Sequence, residues 1–164
     1  MSSTARAANH ERFISHLAES EPALWAVAQF LHRRGETITV PPVSRAPTWE
    51  ERVQHLDNGD LFISRGADAL RVEVKGRGLQ FTCAADFPYP SIIVCARHTW
   101  DQAKPKPFVY YNVNAALTHA ATIHFDMRPH WYEGIYTDKR YTPPIVSEAY
   151  YCPLEKLRFV DLRT

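Results

Sequence analysis

The segment from Asp60 to Lys75 constrains the fold most strongly, because it has the pattern of two short strands joined by a tight turn. Asp60–Ser64 is rich in apolar, strand-forming residues. Ala69–Lys75 alternates apolar and polar residues with the period of a half-buried strand. The residues between them include a glycine and have the length of a hairpin connection. We therefore predict an antiparallel β-hairpin over this segment.

The region before the hairpin has helical periodicity. Its apolar residues at helical spacing are Phe13, Ile14, Leu17, Leu24, Val27, Ala28 and Leu31. Because Pro22 suits the first turn of a helix, we predict two short helices within Asn9–Arg34, the second capped by Ser20 or Glu21. Gly35 follows two arginines and predicts the end of the second helix.

Strands dominate the rest of the chain. Short strands are predicted at Glu36–Val40, Phe108–Val113, Ala120–Phe125 and Ala149–Cys152, with a closing helical turn over Pro153–Val160. Ser91–Arg97 is a nearly continuous apolar run, so we expect a central strand in the same sheet as the hairpin, covered on both faces. Residues 41–59 are predicted to be irregular, with a brief helix around 49–56. Because the predicted helices precede the predicted strands, we expect an α+β fold. The length of 164 residues is typical of one domain, so we predict a single domain over residues 1–164.

The composition narrows the classes of function. A net charge of +1 gives no global attraction to nucleic acid or membranes, so binding to either needs a local patch. No apolar stretch is long enough to span a bilayer, and the first residues lack the apolar core of a secretory signal. Three cysteines without CxxC spacing indicate reduced thiols, so we expect a cytoplasmic protein. The motifs of P-loop NTPases, dinucleotide-binding folds and GxSxG hydrolases do not occur.

Asp60, Glu73 and Lys75 are the candidate catalytic residues. Residues two apart on a strand project from the same face, and the hairpin brings Asp60 close to that face. Carboxylate oxygens are the ligands that Mg²⁺ prefers, and Mg²⁺ also takes water and substrate phosphate. The lysine can then orient or deprotonate the attacking water. The simpler interpretation is a solvated Glu–Lys pair, with Asp60 in a turn.

The sequence Gly59-Asp60, followed after a strand-length interval by Glu73-Val74-Lys75, resembles the motif of the PD-(D/E)xK nucleases of the restriction-endonuclease-like fold. The resemblance covers about residues 36–113 and departs from the family pattern at Gly59, where proline is usual. It implies a mixed central β-sheet flanked by helices, with the N-terminal helices first. It also implies Mg²⁺-dependent hydrolysis of phosphodiester bonds in DNA, with Mn²⁺ able to substitute.

The same resemblance gives each site residue a role. Asp60 and Glu73 are the expected metal ligands, joined by the Val74 carbonyl, and Lys75 positions the attacking water. Many nucleases of this fold add a glutamate from the first helix. The candidates for this extra acid are Glu11, Glu19 and Glu21 on the helices, and Glu50 or Asp57 in the loop before the hairpin. Glu11 and Glu21 are preferred, and a solvated or capping carboxylate is the alternative for each.

Residues around the motif are candidates for contacts with nucleic acid. Arg77 directly follows the motif strand. Tyr89 lies in a loop rich in aromatic residues and proline, where it can stack on a base or pack over the core. In the family, the next strand often leads to a polar or basic residue near the scissile phosphate, which here indicates His98, Gln102 or Lys104. A charged connector is the alternative for all three.

These patterns predict a small Mg²⁺-dependent nuclease that acts on duplex or branched DNA. The chain has little room for a separate recognition domain, so structure-specific or weakly sequence-specific cleavage is expected. Many family members are homodimers, but the sequence indicates no dimer face, and the size suits a phage or mobile-element protein. The alternative is a non-catalytic interaction or phage accessory protein that keeps the fold. No association with membranes is expected.

Overall fold

The computed structural model of the chain describes residues 3–42, 46–51 and 59–164. Its helices are α1 (Ser3–Arg33) and α2 (Arg97–Gln102). Its strands are β1 (Thr37–Thr39), β2 (Leu61–Arg65), β3 (Asp68–Gly76), β4 (Ser91–Ala96), β5 (Val109–Val113), β6 (His119–His124), β7 (Tyr132–Asp138), β8 (Ile145–Pro153) and β9 (Arg158–Asp161). Short 3-10 helices cover Phe125–His130 and Leu154–Lys156. The α+β class is therefore confirmed.

A single long helix replaces the two short helices predicted before the hairpin. α1 continues through Pro22, which is exposed on its surface, so neither Ser20 nor Glu21 caps a second helix. The reason is tertiary packing: Val27 and Leu31 on the following turns are buried against the main sheet, which holds the helix in place despite the missing N–H of Pro22.

The predicted stop at Gly35 is confirmed. Gly35 has φ +83°, and its N–H donates to the His32 carbonyl at 2.9 Å. The Glu36 N–H donates to the Leu31 carbonyl at 3.1 Å. These two bonds form a Schellman motif, for which a residue without a Cβ is favoured.

The main sheet contains six strands in the order β1-β2-β3-β5-β6-β9. β2 and β3 form the predicted antiparallel hairpin, with Leu61 opposite Val72 and Arg65 opposite Asp68. β3 and β5 are parallel, and the other neighbouring pairs are antiparallel, so the sheet is mixed as expected. The segment 77–108 connects the two parallel strands.

The prediction that Ser91–Ala96 is a central strand of the hairpin's sheet is wrong. These residues form β4, which lies at one edge of a second, three-stranded antiparallel sheet in the order β4-β8-β7. Ile92 and Val94 of β4 are buried in a core shared with the main sheet. An apolar run predicts that both faces of a strand are buried, but it does not predict which strands pair with that strand.

The main sheet therefore separates two cores. On one face, Val72 and Val74 of β3 pack with α1. On the other face, Tyr110 of β5 and Ile123 of β6 pack against the second sheet. The helices expected on both faces are thus present on one face only, because the second face is covered mainly by strands. Among the described helices, none is both long and apolar enough to cross a bilayer.

The C-terminal third contains strands that the sequence patterns did not predict. β7 and β9 were missed, and β8 is longer than the predicted Ala149–Cys152 strand. The expected closing turn is the 3-10 helix at Leu154–Lys156, which ends before β9 begins. The predicted brief helix around 49–56 lies mostly outside the described residues.

Candidate metal centre

The candidate site is built at the start of β2, beside the middle of β3. Asp60 is half-buried and directly precedes Leu61, which pairs with Val72. The Asp60 Oδ2 atom accepts a hydrogen bond from the Val74 N–H at 2.5 Å. The carboxylate is therefore held against the backbone of the strand that carries Glu73 and Lys75, as the motif spacing predicts.

The Glu73 carboxylate lies in an ion pair with Arg71. Arg71 Nε donates to Glu73 Oε1 at 2.6 Å, and the side chains are only 5% and 7% exposed. Residues 71 and 73 share a face of β3 because they are two apart, and that face points towards the second sheet. Burying a carboxylate is costly unless it is paired, and Arg71 provides that partner for Glu73.

Lys75 lies further along the same row of side chains. It is half-buried, and its Nζ atom lies 6.0 Å from the centroid of the Tyr110 ring on the adjacent strand. The Tyr110 hydroxyl donates to Cys95 Sγ at 3.5 Å, and burial raises the pKa of both groups. The ammonium of Lys75 therefore faces a ring and a thiol that both remain uncharged at neutral pH.

The Val74 carbonyl is directed to the same edge as Asp60. The Arg71 carbonyl accepts from Phe108 N–H at 2.8 Å, and Arg77 N–H donates to the Val113 carbonyl at 2.8 Å, so odd-numbered residues of β3 point their backbone groups towards β5. Val74 points its backbone groups the opposite way, and its N–H accordingly reaches Asp60.

The oxygen atoms of Asp60, Glu73 and the Val74 carbonyl are of the chemical type that binds a small, hard cation. Two carboxylates and a carbonyl are oxygen ligands of the kind that Mg²⁺ and Mn²⁺ take. A cation at this position would meet Arg71, which already occupies one oxygen of Glu73. Within residues 3–42, 46–51 and 59–164, no three His, Cys, Asp or Glu side chains form a group able to hold a metal ion. Among these described residues, Asp60, Glu73 and the Val74 carbonyl are the oxygen ligands that lie together at the hairpin.

Arg77 is used inside the protein and not as a surface cation. Its guanidinium donates to Asn112 Oδ1 at 2.8 and 3.0 Å and to the Ile93 carbonyl at 2.8 Å. Burial lowers its pKa to about 10. Arg77 therefore joins β3 and β5 to the second sheet through its Nε and one of its two terminal nitrogens.

The other predicted nucleic-acid contacts lie on the surface. Tyr89 is 53% exposed, and its ring meets Phe87 edge-on at 6.3 Å between centroids. His98 lies on the exposed side of α2, and Lys104 is exposed just after that helix. Since α2 packs on the second sheet, His98 and Lys104 belong to that layer and not to the hairpin.

Glu11 and Glu21 are not brought to the site. Both are exposed on α1, and the Glu21 carboxylate accepts from Trp25 Nε1 at 3.5 Å. α1 covers the face of the main sheet that carries Val72 and Val74, whereas Glu73 points to the opposite face. The structure thus gives these two glutamates the surface role that was their alternative.

Sequence reasoning missed Arg71 and Tyr110. The signal for Arg71 was available, because a cation two residues before Glu73 on a strand must share its face. Tyr110 becomes a neighbour only through the parallel pairing of β3 with β5, which aligns it with Glu73. That register depends on a long connection and cannot be read from the local pattern.

The motif at Asp60, Glu73 and Lys75 carries the resemblance to PD-(D/E)xK nucleases. Its strand context is present, since β2 and β3 are adjacent and α1 precedes them. Comparison with protein-family models, with curated proteins and with solved structures finds no match to this chain.

Proposed function

We propose that this protein is a divalent-metal-dependent nuclease of the PD-(D/E)xK type, which hydrolyses phosphodiester bonds in DNA. The observation that carries the proposal is the seating of the Asp60 carboxylate on the Val74 N–H, at 2.5 Å, beside the face that bears Glu73 and Lys75. Two carboxylates and an ammonium on adjacent strands are unusual unless charge compensation or chemistry requires them.

Each side chain has a defined task in this proposal. Asp60, Glu73 and the Val74 carbonyl hold the cation, which when bound supplies Lewis-acid stabilisation of the phosphoryl oxygens. The Lys75 ammonium orients the attacking water by donating a hydrogen bond to its oxygen, and the proton of that water passes to solvent. The positive charge of Lys75 offsets the negative charge that develops on phosphate. Arg71 lies in direct contact with the Glu73 carboxylate and provides a counter-charge when no cation is present.

The substrate is proposed to be duplex or branched DNA recognised mainly through its backbone. The chain has 164 residues and a net charge of +1, so contacts must come from a local surface and not from a strong overall field. Exposed Tyr89, His98 and Lys104 are the candidates for that surface. Backbone contacts position DNA without reading its sequence, which favours weak sequence specificity.

A second candidate function is a non-catalytic interaction protein, and the Arg71–Glu73 pair is the observation that favours it. An arginine already provides the counter-charge that a metal would supply to Glu73, and both side chains are almost fully buried. In that case the row of charges on β3 fixes the packing of the two sheets, and the protein acts through its surface.

The experiment that separates the two candidates is a cleavage panel. Supercoiled plasmid, linear duplex, branched DNA, single-stranded DNA and RNA are each incubated with wild-type protein in Mg²⁺, Mn²⁺ or EDTA. The nuclease proposal predicts metal-dependent cleavage of duplex or branched DNA that is lost in Asp60→Asn and Glu73→Gln.

Glu155→Gln is the matched control, because Glu155 is an exposed carboxylate in the 3-10 helix before β9. It should cleave at the wild-type rate. Absence of cleavage on every substrate, or equal cleavage by wild-type protein and Asp60→Asn, contradicts the nuclease proposal and supports the interaction protein.

A further inference from the structure

A cavity of about 500 Å³ opens on the α1 side of the main sheet, where the end of α1 leaves the strands uncovered. Aromatic and aliphatic side chains form its floor, including Phe30, Ile63, Phe108 and Tyr111. This volume lies within the range of small-molecule sites. The cavity is separate from the candidate metal centre, because Glu73 and Lys75 project from the opposite face of the sheet.

Arginines from three different elements surround this floor. They are Arg34 after α1, Arg65 at the end of β2 and Arg158 on β9. The guanidinium of Arg34 lies 5.4 Å from the centroid of the Phe30 ring, and that of Arg65 lies 5.8 Å from the Phe108 ring. Cationic donors are thus placed directly beside flat apolar surfaces.

The acidic side chains of the cavity do not cancel this positive charge. Glu36 pairs with Arg65 at 2.9 Å. Asp161 pairs with Arg163 at 2.7 Å, outside the cavity lining, and this contact holds the pKa of Asp161 well below its usual range.

The guanidinium groups of two of these arginines, Arg34 and Arg158, are available to bind a ligand. Arg34 has no ion pair among the residues that the structure describes, and Arg158 has only a 3.8 Å contact with Asp126, in which both side chains are about 60% exposed. The donors of Arg34 and Arg158 are therefore accessible to an anion.

Polar groups inside the cavity add directed hydrogen bonding. The Tyr111 hydroxyl stays protonated at neutral pH, because burial raises its pKa. The His124 ring is held towards its neutral form, because burial and then Arg158 lower its pKa. The ring of His124 also meets Phe108 edge-on at 5.9 Å between centroids. A flat heterocycle can therefore find aromatic side chains and hydrogen-bonding partners together in this cavity.

We propose that this cavity binds a nucleotide, with the base on the Phe30, Phe108 and Tyr111 floor and the phosphate between Arg34 and Arg158. A phosphate monoester is favoured over a simple carboxylate, because it offers three oxygens and close to two negative charges to guanidinium forks. A free mononucleotide and the 5′-phosphorylated end of a nucleic-acid strand both present a base and a terminal phosphate, so either could be the source of the ligand. The site is independent of the proposed nuclease activity.

Calorimetric titration tests this site with adenosine 5′-monophosphate, adenosine and inorganic phosphate as probes. The nucleotide should bind with a dissociation constant of about 1 mM or tighter, and each of the two fragments should bind at least about tenfold more weakly. Arg34→Gln and Arg158→Gln should each weaken nucleotide binding by about tenfold. Arg97→Gln is the matched control, since Arg97 is an exposed arginine on the second-sheet layer, and it should leave binding unchanged.

A 5′-phosphorylated tetraadenylate, with its unphosphorylated form alongside, distinguishes the two sources. Tighter binding of the phosphorylated strand than of the mononucleotide supports a strand end, whereas the reverse order supports a free nucleotide. Thermal melting of each variant confirms that it is folded. No saturable binding of either phosphorylated probe, or equal binding by wild-type protein and the Arg34→Gln, Arg158→Gln double variant, overturns the proposal.

Discussion

At the scale of single residues, Glu73 lies between two cations on the same face of β3. Arg71 is in direct contact with it at 2.6 Å, and Lys75 lies on the opposite side of it along the strand. Arg71 is nearly fully buried, whereas Lys75 is half-buried and next to the Tyr110 ring. Burial suits Arg71 to a structural role, and partial exposure leaves Lys75 able to meet a substrate.

Replacing Lys75 with alanine should abolish cleavage and leave the fold intact. In the proposed mechanism the ammonium orients the attacking water, whereas the partly exposed side chain has no ion pair in the described part of the core, so the free energy of unfolding should change by less than about 1 kcal/mol. Plasmid cleavage and thermal melting measure the two effects. Lys139→Ala is the control, because Lys139 is exposed in the turn after β7. Wild-type cleavage by Lys75→Ala would refute the proposed role.

The Arg71–Glu73 pair should behave as a coupled unit. Arg71→Met leaves the Glu73 carboxylate buried without this cation, so we expect a loss of about 3–5 kcal/mol in the free energy of unfolding. The double variant Arg71→Met, Glu73→Leu removes both charges and should recover most of that loss. Urea denaturation of the wild type and the single and double variants measures the coupling. Additive losses in the double variant would show that the pair is not coupled.

The residues of the candidate site were largely predictable, whereas their neighbours were not. The period of a strand places Glu73 and Lys75 together, and the hairpin turn places Asp60 beside them. Arg77 was predicted to contact nucleic acid, but Asn112 and Ile93, which come from elsewhere in the chain, bind its guanidinium. Partners that are distant in sequence decide whether a cation is free, and a local pattern carries no information about them.

At the scale of elements, α1 shows packing overriding a local signal. Pro22 predicts a helix start, yet α1 runs from Ser3 to Arg33 without a break. Periodicity identified the helical residues from Asn9 onwards but missed the first turns from Ser3, because it depends on the buried apolar face that Val27 and Leu31 help to form. It could not decide between one helix and two, since that depends on whether the sheet holds both halves.

Pro22→Ala should stabilise the protein. Pro22 is exposed, lacks the N–H that would complete the helix ladder, and lies in the interior of α1. Restoring that hydrogen bond should raise the free energy of unfolding by about 1–3 kcal/mol. Thermal and urea denaturation measure the change. Gln29→Ala, also exposed on α1, should shift stability by less than about 0.5 kcal/mol. An unchanged or lower stability of Pro22→Ala would mean that α1 is not continuous in solution.

The strands illustrate the same limit. β2, β3, β5 and β6 follow clear apolar patterns and were predicted, but β7 presents exposed Ile135 between half-buried residues and was missed. The apolar run of β4 predicted a covered strand, and its assignment to the second sheet depends on pairing with β8, more than fifty residues away. The periodicity of apolar residues predicts which residues are buried, whereas the pairing of strands depends on contacts between residues that are far apart in the sequence.

At the scale of the whole molecule, the small net charge constrains how the proposed DNA substrate would be bound. With a net charge of +1, attraction depends on a few local cations, and each phosphate contact releases counterions. The affinity of wild-type protein for duplex DNA in EDTA should therefore fall by about ten- to fortyfold between 50 and 200 mM salt, as expected for two or three phosphate contacts. Fluorescence anisotropy measures this dependence. An affinity independent of salt, or no binding at all, would favour the interaction protein.

The central claim is that Asp60 and Glu73 hold a divalent cation, and calorimetric titration of the protein with Mn²⁺ tests it most directly. Asp60→Asn is the informative variant, because its amide oxygen can still accept from the Val74 N–H while the negative charge is lost. The account predicts one saturable site in wild-type protein and in Glu155→Gln, with a dissociation constant in the low millimolar range or tighter, at about the level of weak carboxylate sites. It predicts at least about tenfold weaker binding in Asp60→Asn and Glu73→Gln. The same binding isotherm for wild-type protein and both variants would contradict it.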